Sequence, residues 1–211
     1  MRKRFGVCCI ILGICCLISS VGFIVYNHWE EKYARNASNN MLQYIHENIQ
    51  DNTFEEISSE ELGLDEFMDM PSEMLTTQVD GYDCIGVLSI PVLELELPVL
   101  TDWSYAKLKI APCHYFGSCY EKNFVIAAHN YRSHFGRLSE LRPKDLVLFT
   151  DVSGMVNCYE VVLSETLPAS ATAEMITSGF DLSLYTCTLG GASRVTVRCN
   201  AISGVWFAGY K

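Results

Sequence analysis

Twenty-two consecutive residues without a charge, Phe5 to Tyr26, follow the basic cluster Arg2, Lys3 and Arg4. As a helix rising about 1.5 Å per residue, such a run is about 33 Å long, which matches a bilayer hydrocarbon core of about 30 Å. A cleaved signal peptide is the competing reading, but its apolar region runs to about 7–15 residues and ends in a small-x-small site. Ser19-Ser20-Val21-Gly22 offers weak small-residue candidates, and the apolar run continues past them to Val25 and Tyr26. Residues 1–26 are therefore expected to form a short cytoplasmic tip and one uncleaved transmembrane helix. With the basic cluster before the span and Glu30-Glu31 after it, the positive-inside rule puts the N-terminus in the cytoplasm. Everything after about Asn27 is then extracytoplasmic, on a single-pass protein of the cell membrane.

The net charge of −10 belongs to one segment. From Asn36 to Ala106 there are fifteen Asp and Glu and no Lys or Arg, whereas Lys107 to Lys211 holds ten basic and eight acidic side chains. That near-neutral second half carries no long basic tract of the kind that follows a phosphate backbone, so nucleic acid is excluded as an expected partner. Residues 27–81 read as an acidic stalk, partly helical at Tyr33 to Ala37 and Met41 to His46, and a solvated spacer is favoured over a binding surface. Asn36-Ala37-Ser38 is a formal glycosylation sequon, which is weak by itself.

At Tyr82 the texture changes. Cys84 to Ile90 is a β-rich run, and Leu93-Glu-Leu-Glu-Leu alternates with period two, as a half-buried strand does. Further strand-like runs are Asn123 to Ala128, Leu146 to Thr150, Asn157 to Leu163, Leu182 to Thr188 and Arg194 to Cys199, with turn signals at Val152-Ser-Gly-Met and Leu189-Gly-Gly-Ala. Short strands at this spacing predict an all-β domain over 82–211, a barrel or a sandwich.

Of the ten cysteines, Cys8, Cys9, Cys15 and Cys16 fall inside the apolar run. The other six, Cys84, Cys113, Cys119, Cys158, Cys187 and Cys199, match neither a CxxC zinc pattern nor a dense disulfide framework. Cys113 and Cys119 are close enough in sequence to be bridged, but connectivity is not legible. Cys187 ends an apolar strand pattern, and Arg194 follows across a Gly-rich turn. In an antiparallel pair the two would lie side by side, where a fixed cation stabilises a thiolate or the oxyanion formed when it attacks a carbonyl. His129 follows the apolar run Phe124 to Ala128 and suits a group that transfers a proton. Taken singly, each of these has a bland reading as core or as a satisfied structural side chain. Arg198 has the same strand parity as Arg194 and is the runner-up, while His114 and His134 are alternatives to His129 and Cys199 to Cys187. The histidines lack a convincing metal-ligand spacing, so no metal site is expected.

At these residues the chain resembles the sortases. Leu184-Tyr-Thr-Cys187 followed by Arg194 is similar to the Thr-Leu-x-Thr-Cys to Arg signature of that family. Val125-Ile-Ala-Ala-His129-Asn130 resembles the segment of its catalytic histidine. Ile85-Gly-Val-Leu-Ser-Ile-Pro91 followed by Leu95-Glu-Leu-Pro-Val resembles the first two strands of its barrel. The likeness covers about Tyr82 to Cys199 and departs from the pattern at Ser183, where a Thr is usual, and at Ala128, where a Gly often precedes the histidine.

The resemblance implies a closed β-barrel of about eight strands with short helices. It implies a cysteine transpeptidase that cleaves a sorting motif of the Leu-Pro-x-Thr-Gly type through a thioacyl intermediate on Cys187. His129 would act as acid and then base, and Arg194 would hold the substrate and the oxyanion. Thr186 and Asn130 would support them. The partners implied are secreted proteins with a C-terminal sorting signal, and an amine of peptidoglycan or of a pilin subunit. No cofactor is expected to be required, and calcium dependence is left open. The alternatives are an extracytoplasmic cysteine protease that hydrolyses its acyl-enzyme, and a non-catalytic surface module in which Cys187 is merely buried.

Overall fold

The structure, a computed structural model, describes residues 2–52 and 73–207. The acidic tract from Phe54 to Leu62 lies outside them. The chain opens with one uninterrupted helix, α1 (Arg2–Asn52), followed by nine strands. In order these are β1 (Thr77–Val79), β2 (Tyr82–Ile90), β3 (Leu95–Leu100), β4 (Cys113–Phe116) and β5 (Phe124–Ala128). After them come β6 (Leu146–Asp151), β7 (Met155–Pro168), β8 (Leu182–Cys187) and β9 (Ser193–Phe207). Two short helices, α2 (Tyr105–Leu108) and α3 (Thr172–Ile176), sit in the β3–β4 and β7–β8 connections.

Eight strands close into a barrel in the order β2-β3-β4-β5-β8-β9-β7-β6, with β6 pairing back onto β2 and β1 added at the edge of β2. The expected eight-stranded closed barrel is thus found. Closure needs the backbones of β2 and β6 to approach closely at Gly86, where a Cβ would stand 2.2 Å from the carbonyl oxygen of Thr150. Any side chain there would push the two strands apart.

The strand runs read from periodicity all lie in strands, with shifted ends. Leu93 does not begin β3: Pro91–Leu93 forms a 3₁₀ turn and Glu94 adopts a left-handed conformation at φ 50°, so the strand starts at Leu95. β5 is buried at all five positions. Phe124, Ile126 and Ala128 face the barrel interior, while Val125 and Ala127 face outward and are covered by Met175 of α3 and by Tyr185. A strand covered on both faces reads as a continuous apolar run, which is what the sequence shows. Two strands went unread. β1 and β4 are short, and His114 and Tyr115 break the apolar pattern of β4.

The helical first part of the segment read as a solvated stalk, residues 27–47, is not set apart from the barrel. Ala34, Met41 and Ile45 of α1 are buried, the last two in one cluster with Val79, Cys84, Val87, Leu100, Ala111 and Cys113. The side chains form a stripe at 34, 38, 41, 42 and 45, a helical spacing. The reason for the difference is that the barrel leaves an apolar outer face on β2 and β3 that α1 covers. β1 likewise precedes Tyr82, pairing Val79 with Tyr82 and Thr77 with Cys84. From Ile10 to Val25, in contrast, the apolar side chains of α1 are exposed, and none of its most apolar 18-residue stretch is buried.

Candidate active site

β5 and β8 run parallel, and their register pairs Ala128 with Thr186. The next residue on each strand, His129 and Cys187, therefore leaves the sheet at the same end of the barrel. The Thr186 hydroxyl donates to the carbonyl of Ala128 at 2.9 Å and ties the two strand ends together. β8 and β9 are antiparallel, and Cys187 pairs directly with Arg194 across the turn Thr188 to Ala192. Gly190 and Gly191, both at positive φ, allow that tight reversal, which is closed by Thr188 N–H donating to Ser193 O at 2.9 Å. The strand ends that carry His129, Cys187 and Arg194 are thus neighbours in the sheet.

Cys187 is exposed and stands at the rim of a groove of about 460 Å³ lined by Asn130, Phe135, Gly136, Thr186, Leu189 and Val195 among others. The His129 ring stacks on Tyr131, with centroids 4.3 Å apart and planes at 9°, and its Nδ1 lies 3.3 Å from Oδ1 of Asn130. The Arg194 guanidinium lies over the Tyr185 ring at 5.6 Å and donates to the carbonyl of Ala169 in the β7–β8 connection. Since residues 185 and 187 share a face of β8, the cation is held on the same side of the sheet as the thiol.

The alternatives separate clearly from this cluster. Arg198 is only 2% exposed and is consumed by a buried network. It donates to Glu165 at 2.8 Å, to Ser183 Oγ at 2.8 Å and to the carbonyl of Glu174 at 2.8 Å. Its strand partner is Ser183, four residues before Cys187 and so about 13 Å up the strand. The hydroxyl at 183 is thereby given a structural task. Ala128, the other departure from the family pattern, places its methyl in the barrel core.

His114 is engaged at both ring nitrogens by carbonyls, Thr101 at 3.0 Å and Gly117 at 2.7 Å. His134 is fully buried against α1, and burial, reinforced by the charge of His129, lowers its pKa to about 4. Cys84, Cys113, Cys119 and Cys199 are buried, and desolvation pushes each thiol up to about 12. Cys84, Cys113, Cys119, Cys158, Cys187 and Cys199 are all free. Cys113 and Cys119, the pair close enough in sequence to bridge, belong to different clusters, one beneath α1 and one in the barrel core. Among the described residues no group of three His, Cys, Asp or Glu is arranged to hold a metal ion.

Sequence reasoning missed the support behind His129. Phe135 N–H donates to His129 O at 3.2 Å, and Gly136 N–H donates to Tyr131 O at 2.8 Å. A Cβ on Gly136 would lie 2.6 Å from Asn130 O and 2.8 Å from Tyr131 O. α1 adds Glu31, which accepts from Ser133 N–H at 3.2 Å, and Ser38 beside His134. The helical stripe of small and apolar residues from Ala34 to Ile45 was the signal for this contact.

The comparisons agree with this architecture. No curated protein sequence matches the chain. Among solved structures it is similar to sortase A from Corynebacterium diphtheriae, at 20% identity and TM-score 0.52, covering 58% of this chain and 62% of that one. It therefore spans less than two thirds of that relative's length. It is also similar to sortase C of Streptococcus pneumoniae (23% identity, TM-score 0.52, 64% and 81% covered) and to sortase E from Streptomyces avermitilis (24%, 0.51, 61% and 94%). At such identities the structural likeness speaks for the fold. The sortase-domain family model matches residues 88–202, more than half of the chain, and the chain belongs to the sortase family.

Proposed function

We propose that this sortase-family chain is a cysteine transpeptidase held in the cell membrane by residues 5–26, with its barrel outside. The Cys187 thiolate attacks the carbonyl carbon between Thr and Gly of a Leu-Pro-x-Thr-Gly-type sorting motif. The C–N bond breaks, the leaving amine takes a proton from His129, and a thioester remains on Cys187. An amine of the cell wall or of a pilin subunit then attacks the thioester. His129 takes the proton, the C–S bond breaks, and the new amide leaves as the thiolate is restored. Arg194 offers a fixed positive charge to the oxyanion of both tetrahedral intermediates. Asn130 orients the His129 ring, and Thr186 braces the strand end that carries Cys187.

The observation that carries this reading is the register that brings Cys187, His129 and Arg194 to one barrel end, with Cys187 the exposed member of the described cysteines beyond the apolar run. The pilin acceptor is drawn from the likeness to a streptococcal sortase C described for its pilin substrate specificity. The exposure of Cys187 also favours a second reading, hydrolysis of the thioester by water.

Incubation with a family of fluorogenic Leu-Pro-x-Thr-Gly peptides and an amine acceptor, followed by mass spectrometry, tests both. A Cys187-dependent acyl-enzyme and an amide product are expected. Hydrolysed peptide alone, even at high amine concentration, would make the protein a protease. No acyl-enzyme with any peptide would remove the proposal.

A further inference from the structure

Because α1 is unbroken, position along it measures height above the membrane. Tyr26 ends the apolar run, and Glu30, four residues on, is about 6 Å further along the axis. The headgroup layer on each side of the hydrocarbon is about 5–8 Å deep. The barrel groups that meet α1 lowest are Lys109, ion-paired with Glu30, and Ser133, whose N–H donates to Glu31 at 3.2 Å. They belong to the β3–β4 connection and to the loop that begins at His129. The β2–β3 side of the barrel meets α1 higher, at Met41, Ile45 and His46. The side of the barrel formed by the β3–β4 connection and the His129 loop, whose Asn130 lines the groove at Cys187, is therefore the side nearest the membrane.

The aromatic side chains just past the span on α1 and in the β3–β4 connection suit a membrane boundary. Trp29 is 62% exposed, Trp103 41% and Tyr105 80%, and the Trp103 and Tyr105 rings pack 5.7 Å apart. Trp and Tyr collect at membrane interfaces because an apolar ring and a polar edge match the headgroup layer. The acids beside them are neutralised, Glu30 by Lys109 and Asp102 by Lys107. From Trp103 the aromatic contacts continue through Tyr115 at 5.7 Å to Tyr185 at 5.4 Å, the ring beneath Arg194.

We propose that Trp29, Trp103 and Tyr105 rest in the outer phospholipid headgroup layer, so that the groove at Cys187 opens at the membrane surface and receives its peptide along it. This rests on the reading of Phe5 to Tyr26 as a span.

The test uses the full chain in phosphatidylcholine–phosphatidylglycerol vesicles. Tryptophan emission is quenched first by a lipid with a nitroxide on its headgroup, then by aqueous iodide. Trp29→Phe and Trp103→Phe each remove one exposed emitter, which leaves the barrel core untouched, as thermal melts would verify. Headgroup quenching is expected to fall in both variants. A fall confined to Trp29→Phe, with Trp103 open to iodide, overturns the seating and leaves the span standing. No fall in either variant overturns the span, and the seating with it. A Trp103 hidden from both quenchers is shielded by the protein itself and equally overturns the proposal.

Discussion

Ser38 of α1 lies 3.3 Å from Nε2 of His134, five residues beyond His129, in a contact closed to solvent on both sides. The single Ser38 hydroxyl proton is donated to the carbonyl of Ile110 at 2.9 Å, so toward His134 this oxygen can only accept. His134 therefore donates from Nε2, and Nδ1 keeps a lone pair without a partner. The His134 ring packs 5.6 Å from Tyr131, on which His129 stacks. The docked helix thus reaches His129 through two aromatic rings.

Replacing Ser38 by Ala strands the Nε2 proton of His134 and the Ile110 carbonyl together. A cost of about 1–3 kcal/mol is expected in urea denaturation of a chain starting at residue 27, because buried groups lose their partner without a replacement. Turnover should fall more than KM rises. An unchanged denaturation midpoint would mean that α1 does not dock here in solution.

Acid should weaken the fold through His134. Its folded pKa of about 4 lies below the unfolded value of 6.5, chiefly from burial and then from the charge of His129. The unfolded state binds the proton more readily, so the contribution is complete above about pH 6.5 and is lost as pH falls toward about 4. The loss amounts to about 3 kcal/mol over that window. Denaturation midpoints measured across it should fall steadily for the wild type and less for His134→Gln. Equal slopes would assign the acid sensitivity to another group.

The two arginines of β9 should separate cleanly. Arg194→Ala is expected to slow acyl transfer by about 10²–10³ with little change in stability, as for the loss of one oxyanion donor. Arg198→Ala should instead destabilise the barrel by about 3 kcal/mol, because Ser183 and Glu165 lose a buried partner. Single-turnover rates and melting curves on both variants check this. Reversed outcomes would exchange their roles.

Thiol labelling provides a direct reading of access. A water-soluble maleimide should modify Cys187 first in the folded protein. Cys84, Cys113, Cys119 and Cys199 should react only on unfolding, since each is buried with its thiol raised to about 12. Rapid labelling of Cys199 in the native state would contradict the packing of β9 against the barrel core.

Much of this protein was legible before folding. The apolar length of Phe5 to Tyr26, the two-sided burial of Phe124 to Ala128 and the Cys187-turn-Arg194 hairpin are local patterns. Period, run length and turn chemistry are written in consecutive residues. Hairpin pairing also follows from sequence order, so the Cys187–Arg194 neighbourhood could be anticipated, and His129 stood out at the end of the apolar run Phe124 to Ala128, where the family resemblance also points.

What adjacency in sequence cannot express, only the tertiary structure decided. The parallel register of β5 and β8 joins the strand ends of His129 and Cys187, 58 positions apart in sequence, and β-pairing at that distance is set by closure of the whole barrel. The fates of Arg194 and Arg198 differ although their strand parity is the same, because one lies beside the open turn and the other beneath α3 and Glu165. Residues 34 to 45 look like a polar stalk in a window of sequence and become a buried helix face only once β2 and β3 offer an apolar surface to cover. Periodicity told which side chains seek burial, but the partner that buries them was a property of the assembled barrel.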